Sequence, residues 1–271
     1  MANVLDRIVE QTALDLLKRK KEISFNDLHS LEGFEKERLD FKAALAKEGI
    51  SIISEVKKAS PSKGIIRDDF NPVDIALRYE EGGASAISVL TDKPFFQGDL
   101  EYLSEISKRV QIPTLRKDFI IDPFQVKEAR AYGADAVLII VAITDGSQLN
   151  ELLAAAKEFG LDALVECYSQ EDFDRLDFNQ VDILGVNNRD LRYFKVDVHR
   201  GLSILTQAPE GTVLVSESGI STGKDIALLK REGIDSALIG EHFMRQADPG
   251  KAVSELLEQG EEEYERSLAN G

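Results

Sequence analysis

Glu55 and Lys57 stand two residues apart at the end of the apolar run Ile52-Ile53-Ser54, just before the turn-forming string Ala59-Ser60-Pro61-Ser62-Lys63-Gly64. Alternate residues of a strand share a face, so a carboxylate and an ammonium would point the same way. Burying such a pair is costly without a use, and the bland alternative is a paired charge on an edge strand. Further along, Lys117, Glu166 and Glu217 each close a short run rich in β-branched residues, and Asn187-Asn188-Arg189-Asp190 follows another. Two lysines among glutamates suit proton transfer to and from a small substrate. Crowded lysines would depress each other's pKa, making one a general acid near neutral pH, and would attract an anion such as a carboxylate. A lysine so tuned would equally attack a carbonyl to form a Schiff base, and residue types alone do not separate the two chemistries.

Two further stretches suit an anion. Ser218-Gly219-Ile220-Ser221 and Ile239-Gly240-Glu241 both follow apolar runs. Small residues there let backbone N–H groups and a helix N-terminus approach a phosphate, with glycine as a plain turn residue the simpler reading. Other motifs fail. Gly219-Ile220-Ser221-Thr222-Gly223-Lys224-Asp225 imitates a nucleotide loop but is one residue short and has Asp after Lys. No Gly-x-Gly-x-x-Gly turn occurs, and His29, His199 and His242 lack ligand spacing and read as surface or packing residues. Cys167 has the parity opposite to Glu166 and should face away from it. No cofactor and no metal are expected.

The elements that must position these residues recur from residue 50 onward. Runs near 51–56, 86–90, 113–116, 136–141, 163–166, 183–186, 213–215 and 237–239 read as strands. Amphipathic helices near 72–82, 99–109, 123–132, 146–159, 169–176, 198–207, 222–232 and 244–258 lie between them. Gly133-Ala134-Asp135, Gly160-Leu161-Asp162 and Gly233-Ile234-Asp235 combine a helix C-cap with the start of the next strand. Eight such units with doubly buried strands predict an α/β fold, a closed (βα)8 TIM barrel, rather than an open sheet. In that fold the strand C-termini form the active site, and parity aims Glu55, Lys57, Lys117, Glu166 and Glu217 inward together. Salt bridges bracing the rim are the structural alternative.

Leu5, Ile8, Val9, Leu16 and Leu17 predict a helix near 4–20, and Phe41, Ala44 and Leu45 a second, shorter one. The run Lys18-Arg19-Lys20-Lys21 suits that first helix's negative pole, with a basic docking patch as the sharper alternative. Residues 1–48 thus form a helical extension capping one end of a single domain spanning 1–271. Residues 258–263 read as a solvated helix end.

The chain has 271 residues, 43% of them hydrophobic and 30% charged, the balance of a globular protein large enough for such a barrel. A formal charge of −16 argues against a nucleic-acid surface, though a locally basic pocket can still take an anionic small molecule. The single cysteine excludes an internal disulfide and fits a reducing compartment. No apolar run reaches membrane-spanning length and the start lacks a signal-peptide core, so no membrane association and a cytoplasmic location are expected.

Four strings carry a resemblance: Glu55-Val56-Lys57-Lys58-Ala59-Ser60-Pro61-Ser62-Lys63-Gly64, Leu115-Arg116-Lys117-Asp118-Phe119, Gly185-Val186-Asn187-Asn188-Arg189-Asp190-Leu191 and Ser216-Glu217-Ser218-Gly219-Ile220-Ser221. Together they resemble the indole-3-glycerol phosphate synthase family of tryptophan biosynthesis, in its monofunctional form, from about residue 5 to the final helix. The resemblance implies a carboxy-lyase. It closes an indole ring on 1-(2-carboxyphenylamino)-1-deoxyribulose 5-phosphate, releasing carbon dioxide and water. It implies Lys117 as the general acid on the ribulose carbonyl, and Lys57 holding the substrate carboxylate and donating in the dehydration. Glu166 would act as acid–base or stabilise the cationic intermediate. Glu55 would position Lys57 and take a late proton, while Asn187 and Glu217 hold sugar hydroxyls. Ser60, Arg189, Ser218, Gly219 and Gly240 would line the phosphate or adjoining sugar. Phe96 and Phe119 would seat the aryl ring beside Leu138 and Leu191, and a dry aryl pocket favours loss of the carboxylate as carbon dioxide. The Glu241 carboxylate could not donate to a phosphate. A Schiff-base phosphosugar enzyme on the same barrel remains the alternative enzyme. A catalytically silent phosphosugar-binding barrel would be expected to lack Lys57, Lys117 or Glu166. The partner is a phosphorylated small molecule, and the chain is expected as a monomer or weak homodimer.

Overall fold

The structure is a computed structural model that describes residues 4–190 and 195–269. Eight strands form one closed, wholly parallel barrel: β1 (Ser51–Val56), β2 (Ala86–Leu90), β3 (Thr114–Lys117), β4 (Ala136–Ile140), β5 (Asp162–Cys167), β6 (Ile183–Asn187), β7 (Val213–Glu217) and β8 (Ser236–Ile239). Each strand pairs with its chain neighbours, and β8 closes onto β1 through Ser51–Ser236 to Ser54–Ile239. Inward residues such as Ile53, Leu115, Leu138, Leu164 and Val215 fill the barrel, and outward ones such as Ile52, Ile87, Val137 and Leu184 pack against the helices. That double burial is why the strands read as continuous apolar runs.

Around the barrel lie α1 (Val4–Glu22), α2 (Phe41–Leu45), α3 (Pro72–Glu81), α4 (Lys93–Phe96), α5 (Leu100–Ser107), α6 (Pro123–Ala131), α7 (Gly146–Glu158), α8 (Gln170–Phe173), α9 (Val198–Leu205), α10 (Gly223–Arg231), α11 (Glu241–Met244) and α12 (Pro249–Ala269). Asp or Asn side chains cap α3 to α7 and α9, and Ser169 and Thr222 make capping boxes at α8 and α10. Gly133, Gly160 and Gly233 hold the left-handed conformation expected after a helix. The Asp two residues later does more than begin a strand. Asp135 accepts from the Thr114 N–H at 2.8 Å and Asp235 from the Leu214 N–H at 2.7 Å, each tying a strand start to its neighbour.

The N-terminal extension differs from the expectation in two ways. Its buried stripe is Ile8, Thr12 and Leu16, while Leu17 is 60% exposed, because four-residue spacing keeps a face and five-residue spacing leaves it. It also touches both ends of the barrel rather than capping one. Val4, Leu5 and Ile8 reach the mouth at the strand C-termini. The chain then descends along α6, and α2 plugs the other end, with Phe41 and Leu45 packed beneath Ala86, Ala136, Ile183 and Val213. The Lys42 N–H donates to Asp162 at 3.0 Å and the Leu39 N–H to Asp135 at 3.0 Å. The basic end of α1 docks internally, Arg19 onto Glu128 at 2.6 Å and Lys20 onto Asp122 at 2.7 Å.

The expected helix near 169–176 is only the four residues of α8, and the expected helix near 244–258 is α11 followed by the longer α12. Residues 258–263 belong to α12 and are exposed except for Gly260 and the half-buried Glu263. Gly260 packs so closely on Ile226 that a Cβ would overlap it.

Candidate active site

The strand C-termini surround one cavity. Its wall includes Glu55, Lys57, Ser60, Phe96, Lys117, Phe119, Leu138, Glu166, Asn187, Arg189, Glu217, Ser218, Gly219 and Gly240, all but one of the expected site residues. The remaining one, Leu191, lies outside the described residues.

Strand parity builds the centre. Lys117, the last residue of β3, points inward while Arg116 points out. The Lys117 ammonium donates to Glu166 Oε2 on β5 at 3.1 Å and to Glu217 Oε2 on β7 at 2.5 Å. Asn187 Nδ2 approaches the same Glu166 oxygen at 3.4 Å, and Lys57 pairs with Glu55. Glu55, Glu166 and Glu217 are each at most 4% exposed.

Their charges correct one expectation. Lys117 sits among carboxylates rather than beside a second ammonium. Burial disfavours its charged form, but Glu217, Glu166 and Glu55 outweigh that, and its pKa moves up, not down. Glu217 moves the other way for a carboxylate. Burial pushes its carboxyl up to about 8, against the pull of Lys117 and with the help of neighbouring Glu166. Lys117 is therefore held as a charged hydrogen-bond donor. Glu217 was expected to hold a sugar hydroxyl. One of its oxygens holds Lys117, and Oε1 is buried without a hydrogen-bond partner.

Outward-facing residues fix the cluster. Arg116 is fully buried and pairs with Asp118 at 2.9 Å and Glu128 at 2.9 Å, and donates to the Gln125 carbonyl at 2.7 Å. Since Arg19 also holds Glu128, this network ties α1 and α6 to the strand end that carries Lys117. On the opposite arc, Asn188 Nδ2 donates to Ser216 Oγ at 3.0 Å and to the Ser218 carbonyl at 2.9 Å. That second bond restrains a sharp turn, for Ser218 (φ 69°) and Gly219 (φ 81°) are both left-handed. A non-glycine residue there costs on the order of 1 kcal/mol and persists only when its surroundings enforce it.

Two glycines make room for carboxylates. A Cβ on Gly240 would overlap Glu55 Oε1 and come 2.9 Å from its Cδ. A Cβ on Gly185 would overlap Glu217 Oε1. Gly185 was not singled out from the sequence, although its parity with Asn187 was readable. The wall also includes Val4, Leu5 and Ile8 from α1, Leu90, Ile140 and His242, none of which motif spacing or strand parity marks as a site residue. Burial lowers the His242 pKa. Among the described residues no group of His, Cys, Asp and Glu side chains is arranged to hold a metal ion, and no helix is long and apolar enough to cross a membrane. Cys167 faces the helix layer, where burial raises its thiol pKa.

At one side of the cavity the Phe96 and Phe119 rings lie 6.0 Å apart at 35°, and α4, capped by Asp92, presents Phe96. Arg189, Ser60 and the Ser218–Gly219 turn also line the cavity. An apolar seat, a buried Lys–Glu cluster and a polar rim thus share one mouth.

Among solved structures, a 3-hexulose-6-phosphate synthase superposes with a TM-score of 0.62 at 16% identity, covering 78% of this chain and 99% of that one, a likeness of fold. Among curated proteins, the indole-3-glycerol phosphate synthase of Salinibacter ruber is 49% identical over 95% of this chain and 96% of its own. That of Zymomonas mobilis subsp. pomaceae is 47% identical over 95% and 99%. The family model for indole-3-glycerol phosphate synthase matches residues 5–256, from the mouth-lining start of α1 into α12. With barrel, cavity and relatives in agreement, the chain belongs to the indole-3-glycerol phosphate synthase family.

Proposed function

We propose that the chain converts 1-(2-carboxyphenylamino)-1-deoxyribulose 5-phosphate to indole-3-glycerol phosphate, carbon dioxide and water, with Lys117 as the proton donor. The observation that carries the assignment is the Lys117 ammonium held between Glu166 and Glu217 in a buried cavity walled on one side by Phe96 and Phe119. The aryl carbon bearing the carboxylate attacks the ribulose carbonyl, and the carbonyl oxygen takes a proton from Lys117. Carbon dioxide then leaves, and its bonding pair restores the aromatic ring. A second protonation lets the hydroxyl depart as water, and loss of one proton completes the indole.

Lys57 receives the substrate carboxylate, and its partner Glu55 orients it and accepts the late proton. Glu166, which touches both Lys117 and Asn187, stabilises the cationic intermediate formed before water leaves. Glu217 keeps Lys117 aimed through its 2.5 Å hydrogen bond, which is preorganisation of the proton donor. Phe96, Phe119 and Leu138 seat the aryl group, with Leu191 assigned there from its motif alone. Ser60, Arg189, Ser218, Gly219 and Gly240 take the phosphate end, and Asn187 a sugar hydroxyl. The chain acts as one domain, a cytoplasmic monomer or weak homodimer.

The test is formation of fluorescent indoleglycerol phosphate by purified protein without added metal. Turnover is expected, and borohydride added with substrate should trap no lysine adduct. Tight phosphosugar binding without turnover would make the chain a silent barrel. An adduct on Lys57 or Lys117 would make it a Schiff-base enzyme.

A further inference from the structure

Glu241 opens α11 directly after Gly240 and lines the same cavity. Its carboxylate lies among three cations: Arg189 Nη2 at 3.5 Å, Lys63 Nζ at 3.7 Å and Arg245 Nη2 at 3.2 Å. Arg189 follows β6, and Lys63 sits near the tip of the small hairpin pairing Ala59–Ser60 with Gly64–Ile65 over the mouth. Arg245 is one helical turn away on the outer side and 49% exposed. A carboxylate cannot donate a hydrogen bond to a phosphate and repels its charge. Its place on Arg189 of the cavity wall, and on Lys63 of the hairpin beside that wall, therefore opposes the phosphate binding those cations would otherwise favour.

We propose that Glu241 is a built-in competitor of the substrate phosphate. Its carboxylate and the phosphate contend for Arg189 and Lys63, so Glu241 weakens phosphate binding and speeds release of the phosphorylated product. The inference rests on the phosphosugar reading of the cavity. Separations of 3.5 and 3.7 Å are longer than a close charge-assisted hydrogen bond, so these pairs are weaker than one. Arg245, which already holds Glu241 Oε1 at 3.2 Å, retains the carboxylate when phosphate takes Arg189 and Lys63. Just past the hairpin, Arg67 donates to the Gln246 carbonyl at 2.7 Å, a tie to the same region that does not involve Glu241.

Inorganic phosphate binding, read by calorimetry, tests this without needing turnover. Glu241→Gln should bind phosphate about fivefold to twentyfold more tightly than the unaltered protein, with a steeper loss of affinity as salt rises. Glu241→Asp should remain near the unaltered value. Lys63→Gln should weaken phosphate binding more in the Glu241→Gln background than alone, since the competitor no longer occupies that lysine. Equal or weaker phosphate binding by Glu241→Gln would overturn the proposal and make Glu241 an organiser of the cations. A failed turnover assay with these phosphate results intact would instead refute the assigned reaction.

Discussion

Gly185 is a sensitive test of how the cluster is built, because it stands one layer below the chemistry and touches no expected substrate group. It lies within β6, opposite Glu166 on β5 and Val215 on β7, and faces the barrel interior. A methyl group there would come about 1 Å inside ordinary van der Waals contact with Glu217 Oε1. It would also lie 3.1 Å from Leu164 Cδ1, on the side away from solvent. Glu217 is 1% exposed and bonded to Lys117 at 2.5 Å, so its carboxylate cannot yield without disturbing that bond. Overpacking of this size costs about 1–3 kcal/mol, a fall in Tm of roughly 2–10 °C. Displacing a catalytic group by about 1 Å costs about a hundredfold in rate. Gly185→Ala should therefore fold, lose about two orders of magnitude in kcat, and change KM much less, since the aryl and phosphate walls are untouched. Steady-state kinetics beside a melting curve decides it. A folded Gly185→Ala enzyme with kcat within about twofold of the unaltered one would refute the idea that Glu217 must hold Lys117 in place.

Because the Glu217 carboxyl is pushed up to about 8, kcat/KM against pH should show an ionisation there that Glu217→Gln lacks, and its persistence would assign it elsewhere. The same elevation means that the unaltered protein loses folding stability as pH rises from the ordinary 4.5 through about 8. Melting curves across that window should therefore shift in favour of the Gln variant, and a constant difference would contradict the elevated value. Lys127 is 1% exposed, with its ammonium 3.8 Å from the Phe25 ring centre and 5.8 Å from those of Phe34 and Phe159. Lys127→Met should lower stability by about 1–2 kcal/mol and loosen the extension in hydrogen exchange, and unchanged melting would count against this cation–π cage. Ser218→Asp should raise KM about tenfold or more through repulsion of the phosphate, whereas an unchanged KM would place the phosphate elsewhere.

The barrel was legible because its strands are short, doubly buried runs punctuated by helix C-caps, signals carried by neighbouring residues. The cluster was legible for a related reason: strand parity alone sends Glu55 with Lys57, and Lys117, Glu166 and Glu217, to one face. Long-range packing was not legible. Leu17 looks like a core residue until Thr12 is seen to take the buried position between Ile8 and Leu16. That α1 reaches the mouth depends on its docking to α6 through Arg19 and Lys20, where the sequence shows only a basic run. The rise in the Lys117 pKa depends on which charges β5 and β7 bring within reach, and composition suggested the opposite sign. Gly185 illustrates the same limit, for its need to lack a side chain comes from Glu217, a residue of another strand.

The central claim is that Lys117 delivers the proton while the rest of the cavity binds. Its most direct measurement is single-turnover formation of indoleglycerol phosphate by Lys117→Ala, alongside substrate affinity from calorimetry. The account predicts a rate lower by about two to four orders of magnitude, the range for loss of a general acid, with substrate still bound. A Lys117→Ala enzyme that turns over near the unaltered rate would contradict it and move the proton donor to Lys57.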